Sequence, residues 1–215
     1  MIEYWRENYP IMLIEMGQHA EMVFAALAIA ITVTIILVLV FLHRRNWLNG
    51  LVYFFSLLYS VPSFALFALL LPVTGLGMRT AIVVLAVYCE YVLLRSFITG
   101  IQEVTPAMVE VARGMGMTNR QVFMKVQLPL AVPAIFSGIQ VALASAMGIA
   151  TIATTINAGG LGELLFEGLQ TQKVTPILWG TVLTIVLTLT SAGILRLVEW
   201  AFDHRWRRVL TAKKA

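Results

Sequence analysis

From Met22 to Leu42 the chain carries no Asp, Glu, Lys or Arg. A helix of about 20 apolar residues matches the roughly 30 Å hydrocarbon core of a bilayer, and its backbone satisfies its own hydrogen bonds there. The pattern recurs at Leu51–Leu71, Leu130–Ile156 and Val174–Leu195, all uncharged, and at Thr80–Ile98, which holds Glu90 and Arg95. Membrane β-strands would be about half as long and would alternate in hydropathy. The expected fold is therefore all-α, a polytopic bundle of five transmembrane helices. Hydrophobic residues make up 60% of the 215 and charged residues 12%. A soluble domain carries about 45–50% and about 25%.

Basic residues set the expected orientation. If the His43-Arg44-Arg45 turn is cytoplasmic, so are the segment carrying Arg113, Arg120 and Lys125 and the tail carrying Arg205, Arg207, Arg208, Lys213 and Lys214. Arg95 and Arg196 lie near the inner ends of their spans, which puts 12 of the 15 basic residues inside. Arg6, Arg79 and Lys173 fall outside. The positive-inside rule then gives an outer N-terminus and an inner C-terminus. The +4 net charge reads as loop charge that orients the chain, and no nucleic-acid partner is expected. Glu3, Glu7, Glu15 and Glu21 occupy the place of a signal peptide's basic region, so the first residues are not a signal peptide. Residues 1–19 read as an outer segment, either interfacial through Tyr4, Trp5, Tyr9 and Met12 or poorly ordered. Residues 20–200 read as one transmembrane domain, and 201–215 as a basic cytoplasmic tail.

Chemistry of the enzymatic kind is missing from the sequence. There is no phosphate-cradling G-x-x-x-x-G-K-[ST], no H-E-x-x-H and no G-x-S-x-G. His19, His43 and His204 are far apart, so no metal site is expected, and Cys89 alone forms no internal disulfide. If the chain does work, its energy comes from a partner or an ion gradient.

Residues 105–129 are the most informative. Thr105-Pro106 starts a helix, with a capping hydroxyl followed by proline at the first helical position. Gly114 and Gly116 stop or turn it. Thr118-x-x-Gln121 is a capping box that opens a second helix, and Pro129 is expected to break the backbone before the fourth long span. By pattern alone this could be an amphipathic loop on lipid headgroups. The order Glu110-Val-Ala112, three residues, Gly116, nine residues, Val126-Gln-Leu128-Pro129 resembles the E-A-A…G…I-x-L-P signature of ABC importer permeases, with Val111 and Val126 as departures. The resemblance implies a type I importer permease fold. It also implies a cytoplasmic coupling helix that docks on a separate ATPase through Glu110, Ala112, Arg113, Gly114, Gly116, Leu128 and Pro129. Ala112 and Gly116 are expected to keep the docking surface low.

Further stretches are similar to permeases for the osmoprotectants glycine betaine, carnitine and choline. They are Ser60-Val-Pro62-Ser63 through Pro72, Gly75-Leu-Gly77, Arg113 to Met117, and Ala158-Gly-Gly-Leu-Gly162. The methionine-type importer permease is the nearest alternative. A non-transporting membrane anchor is the alternative from another class. The resemblance implies two ATPase subunits that bind ATP–Mg, a second permease subunit, identical or paralogous, and a separate external binding protein. No cofactor is expected in this chain, and the implied place is the plasma (inner) membrane of a prokaryote.

Several membrane residues are candidates for the translocation path. Pro62 should kink the second span, with Ser60 and Ser63 beside it. Glu90 could meet a substrate cation or serve as a protonated structural group. Thr151 and Thr154, with Thr155, could line a polar path or bond back to their own helix. Tyr53, Phe54, Phe55, Tyr59 and Phe64 crowd the second span, where cation–π contact would suit a quaternary ammonium ligand. The small residues Gly138, Ala142, Ser145 and Gly148 are read as a packing stripe. Gly159, Gly160 and Gly162 form an external loop that either touches the binding protein or makes a tight turn.

Overall fold

The computed structural model describes residues 1–42 and 44–211, with side chains except at Arg45 and residues 203–211. His43, Lys213 and Lys214 lie outside the described residues, as do the side chains of Arg205, Arg207 and Arg208. Among the described residues the regular elements are all helical, with a short π and a short 3₁₀ segment beside the α-helices. They are α1 (Ile2–Phe41), α2 (Arg45–Tyr59), α3 (Ser63–Thr74), α4 (Met78–Gln102), α5 (Pro106–Gly114), α6 (Asn119–Val122), α7 (Leu128–Ala150), α8 (Gly162–Thr171) and α9 (Val174–Thr211).

The 40 residues of α1 extend about 60 Å, twice the thickness of a hydrocarbon core. The apolar half from Met22 accounts for the span, and the half from Ile2 to Glu21 continues beyond it without interruption. That protruding half is packed. Met12 is buried with Leu161, Leu164 and Leu183, and the Trp5 and Trp179 rings lie 4.9 Å apart. Trp179 Nε1–H donates to the Met1 carbonyl at 3.1 Å.

The Leu51–Leu71 span is not one helix. α2 and α3 meet at 97° around Ser60–Pro62. Proline has no N–H to donate and its ring would strike the preceding turn, so the helix ends before it. Ser60 Oγ–H donates to the Ser56 carbonyl at 2.9 Å, and Tyr88 of α4 donates its hydroxyl proton to the Val61 carbonyl. The broken pair still joins opposite ends of the bundle. Leu48 of α2 lies with Val38, Leu42, Ile98 and Val104, whereas Gly77, just past α3, donates its N–H to the Ile156 carbonyl at 2.8 Å at the far end of α7. Arg44, Arg113, Arg120 and Lys125 therefore share one end, and Arg6, Arg79 and Lys173 the other.

α4 is the central helix and is buried from Thr80 to Ile101 on its inner face. Its closest neighbour is α7. A Cβ at Gly138 would collide with Ser96, and one at Gly100 would sit 2.8 Å from Ala134 Cβ. Cys89 Sγ lies 3.8 Å from the Ala142 carbonyl. Part of the small-residue stripe thus packs as expected, while Gly148 has open space around it. On the other side of α4, Glu90 accepts a hydrogen bond from Thr34 Oγ1 of α1 at 2.9 Å. α9 is the outermost span, with Ile185, Leu189, Ile194 and Leu197 exposed.

Gly138→Val should destabilise the purified protein by about 1–3 kcal/mol, the usual cost of overpacking. Gly148→Ala should be neutral or slightly stabilising, since it replaces a helical glycine in open space. Thermal unfolding in detergent checks both. Equal melting temperatures for the two variants would contradict the α4–α7 contact.

Candidate functional site

The loop from α4 to α7 is built by local rules. Pro106 opens α5 at the first turn. At its far end Met117 N–H bonds to the Ala112 carbonyl at 3.2 Å and Gly116 N–H to the Arg113 carbonyl at 2.9 Å. This paired closure needs a left-handed residue, and Gly116 supplies it with φ +81°. Thr118 then caps α6. Its Oγ1 accepts from Gln121 N–H at 3.3 Å, and its own N–H donates to Gln121 Oε1 at 2.8 Å. Pro129 does not break the chain. Residues Phe123–Gln127 form a π-helical turn, with Leu128 N–H reaching back to the Phe123 carbonyl. The widened turn admits the proline ring, and the path runs on into α7.

Glu110, Arg113, Gly114 and Gly116 are exposed on α5 and its turn. Ala112 is not available for docking, because it is 2% exposed and faces its own chain. Gly116 is required by its backbone angle, independently of any close approach by a partner. Leu128 and Pro129 are half-buried in the stem of α7. The sequence reading missed an apolar ridge, Met108, Val111 and Met115, exposed at 51%, 62% and 66%. Its spacing of three and four residues places it on one helical face. Behind α5 lies a cleft of about 460 Å³, bounded by Leu42, Leu48 and Ile101 and by Glu110, Arg113 and Asn119.

The path candidates separate. Glu90 is 3% exposed and sealed between α1 and α4, so it belongs to helix packing and not to a path. Thr151 Oγ1–H returns to the Gly148 carbonyl at 2.7 Å and Thr155 Oγ1–H to the Ile152 carbonyl at 2.8 Å. Thr154 is buried. Those hydroxyls finish a 3₁₀ turn at the end of α7. Ser60 and Pro62 are exposed and Ser63 is half-buried, all at the bend.

A groove that the sequence reading did not find runs between α2 and α4. It encloses about 420 Å³ and is lined by Asn49, Tyr53 and Ser56 of α2 and by Tyr91, Arg95, Thr99 and Gln102 of α4, with Val52 and Ile98 between them. On α4 the polar positions recur at helical spacing for about 16 Å. Ser60 continues the α2 row. Arg95 Nη1–H donates to the Tyr91 hydroxyl at 2.8 Å, and the Tyr91 ring lies 5.0 Å from that of Tyr59. Arg95 is exposed. An exposed guanidinium on a spanning helix is costly against lipid. The sequence signal for this strip is Tyr91-x-x-x-Arg95-x-x-x-Thr99, a polar row at helical spacing within an apolar span.

At the opposite end the glycine loop folds onto α1. Gly159 and Gly160 have φ +75° and +91°, and Gly160 N–H donates to Gln18 Oε1 at 3.1 Å. Gly162 lies against the Thr151 backbone. The glycines serve this turn, and the exposed surface nearby belongs to Glu167, Leu169 and Gln170 of α8. Nearby on α1, Glu15 is pushed up to about 7, first by burial and then by Glu163 and Glu167.

The family described as binding-protein-dependent transport system inner membrane component matches residues 30–208. The carnitine transport permease protein OpuCB of Listeria monocytogenes is 30% identical over 200 residues, covering 93% of this chain and 92% of its own. The choline transport system permease protein OpuBD of Bacillus subtilis is 31% identical, covering 94% and 90%. Among solved structures, the MetNI methionine ABC transporter in an inward-facing conformation superposes with a TM-score of 0.75. It shares 21% identity and covers 94% of this chain and 98% of its own, a likeness of fold.

Raising the pH from about 4.3 to about 7 should loosen the α1–α8 contact. A carboxyl raised above its ordinary value of about 4.3 is favoured in its neutral form. The folding penalty is therefore absent below about 4.3, grows as pH rises and is complete above about 7. Tyr4, Glu163 and Glu167 are the titratable neighbours on this face. Protease resistance of residues 2–21 should fall across that window in the parent and stay flat in Glu15→Gln. An unchanged pH profile in Glu15→Gln would contradict the assignment.

Proposed function

The chain belongs to the family of binding-protein-dependent transport system inner membrane components, and from that membership we propose that it carries a quaternary-ammonium compatible solute, such as glycine betaine, carnitine or choline, into the cell. It is a multi-pass subunit of the plasma membrane and has no ATPase site of its own. Permeases of this family work with ATPase subunits, another permease and a binding protein. Two ATPases holding ATP–Mg, a second permease, identical or paralogous, and an external binding protein complete the proposed importer. The observation that carries the substrate class is end-to-end similarity to permeases named for carnitine and choline.

The proposed orientation puts α5 in the cytoplasm and the glycine loop outside, which is supported by the sorting of basic residues between the two ends. α5 is then the docking element. Its ridge of Met108, Val111 and Met115 enters a groove on the ATPase, with Glu110, Arg113, Gly114 and Gly116 at the rim. Leu128 and Pro129 carry the motion into α7. The α2–α4 groove, from Gln102 up to Ser60, forms one half of the path, and the bend at Pro62 and Ser63 gives its upper end freedom to move. Residues 20–200 form the transmembrane domain in this reading, and 201–215 its cytoplasmic tail.

The test is uptake into vesicles holding the chain, its ATPase, its partner permease and its binding protein. ATP-dependent accumulation of radiolabelled betaine, carnitine or choline, lost when the binding protein is omitted, is the expected result. Accumulation of methionine with none of the three would overturn the substrate class.

A further inference from the structure

Arg95 lies seven residues before the end of α4, about 10 Å into the helix from the α5 end. Its only hydrogen-bond partner among the described residues is the Tyr91 hydroxyl. The guanidinium has five N–H donors in a planar fork that suits a carboxylate, and among the described residues no Asp or Glu lines the groove. The groove also holds aromatic surface, from Tyr53, 67% exposed, and from Tyr91 with Tyr59 behind it. Ring faces attract a quaternary ammonium group. The Arg95 guanidinium beside tyrosine rings is thus complementary to a small zwitterion, whose carboxylate meets the fork while its ammonium head meets the rings. A solute with the ammonium head alone meets the rings and is repelled by the fork.

Resting on the reading that this chain carries quaternary-ammonium solutes, we propose that Arg95 is a specificity-determining residue. It reads the carboxylate of a zwitterionic solute in the α2–α4 groove and so favours betaine and carnitine over choline during passage. Tyr91 is a positioning residue, holding the guanidinium through its hydroxyl. The binding protein sets which solutes are delivered, and the groove sets how readily each one leaves it for the interior.

The experiment uses the whole importer in vesicles, with binding protein saturated by betaine or by choline, and reads the ratio of betaine to choline uptake. The ratio cancels differences in assembly. Arg95→Gln should lower it by about tenfold, the size expected from losing one charge-assisted pair. Arg95→Lys should keep it within about twofold of the parent. Tyr91→Phe should lower it in the same direction by about threefold, which keeps the test open if Arg95→Gln fails to assemble. An unchanged ratio in Arg95→Gln, an equal loss of both solutes, or an Arg95→Lys ratio as low as that of Arg95→Gln would overturn the assignment. If the parent importer carries neither solute, the substrate class itself fails, and the Arg95 role falls with it.

Discussion

The contact between α4 and α7 is a close approach in which a glycine on each helix receives small side chains of the other, and the rest of the bundle is arranged around it. Gly138 leaves room for Ser96, and Gly100 leaves room for Ala131 and Ala134. Lipid tails are as apolar as leucine, so helices in a membrane gain little from apolar burial alone. Close approach gains dispersion contacts that lipid does not match. With α7 held on one face, α4 offers another to α1, where Glu90 is satisfied by Thr34. A polar strip remains beside α2. Three faces of one helix thus define the core, a buried polar lock and the groove.

That arrangement also gives α5 its mechanical position. The chain leaves α4 at Gln102, folds α5 and α6, and enters α7 at Leu128. In the proposed importer, a push on α5 would reach the two most closely packed helices together. The π-helical turn keeps the path into α7 continuous through Pro129. The groove wall of Tyr91, Arg95, Thr99 and Gln102 rides on α4. The opposing wall on α2 is tied to α4 near the bend, through Tyr88 and the Val61 carbonyl. In the proposed importer, displacement of α5 therefore changes the groove most at its α5 end and least at the bend. This is a hinge and lever of the kind alternating access requires.

Much of this was legible in the residues. Long apolar runs mark the membrane helices, four of them uncharged and one holding Glu90 and Arg95, and Pro62 marks the break. The helix start at Thr105-Pro106 and the Thr118–Gln121 box form where the residues place them, because both are decided within one turn, although the Thr105 hydroxyl does not make the expected capping bond. What failed required knowledge of facing. Pro129 looks like a breaker until the preceding turn widens to receive it. Ala112 fits a docking surface by size but points inward. Glu90 and the Thr151–Thr155 hydroxyls are path candidates by polarity alone, yet Glu90, Thr151 and Thr155 bond within the protein and Thr154 is buried. Arg95 was counted only for the positive-inside rule. Its place in a groove depends on α2 lying across from it, which one helix's sequence does not contain.

The central claim is that the α2–α4 groove is a water-filled half of a transport path. Ser56→Cys and Thr99→Cys, made in a Cys89→Ala background, test it directly, because Cys89 is the single native cysteine and is buried. The account predicts that a membrane-impermeant thiol reagent labels both cysteines from the α5 side in inverted vesicles, and that a cysteine at Ile185 on the outer face of α9 stays unlabelled. Labelling at neither groove position would contradict it and would make this face a lipid or subunit contact.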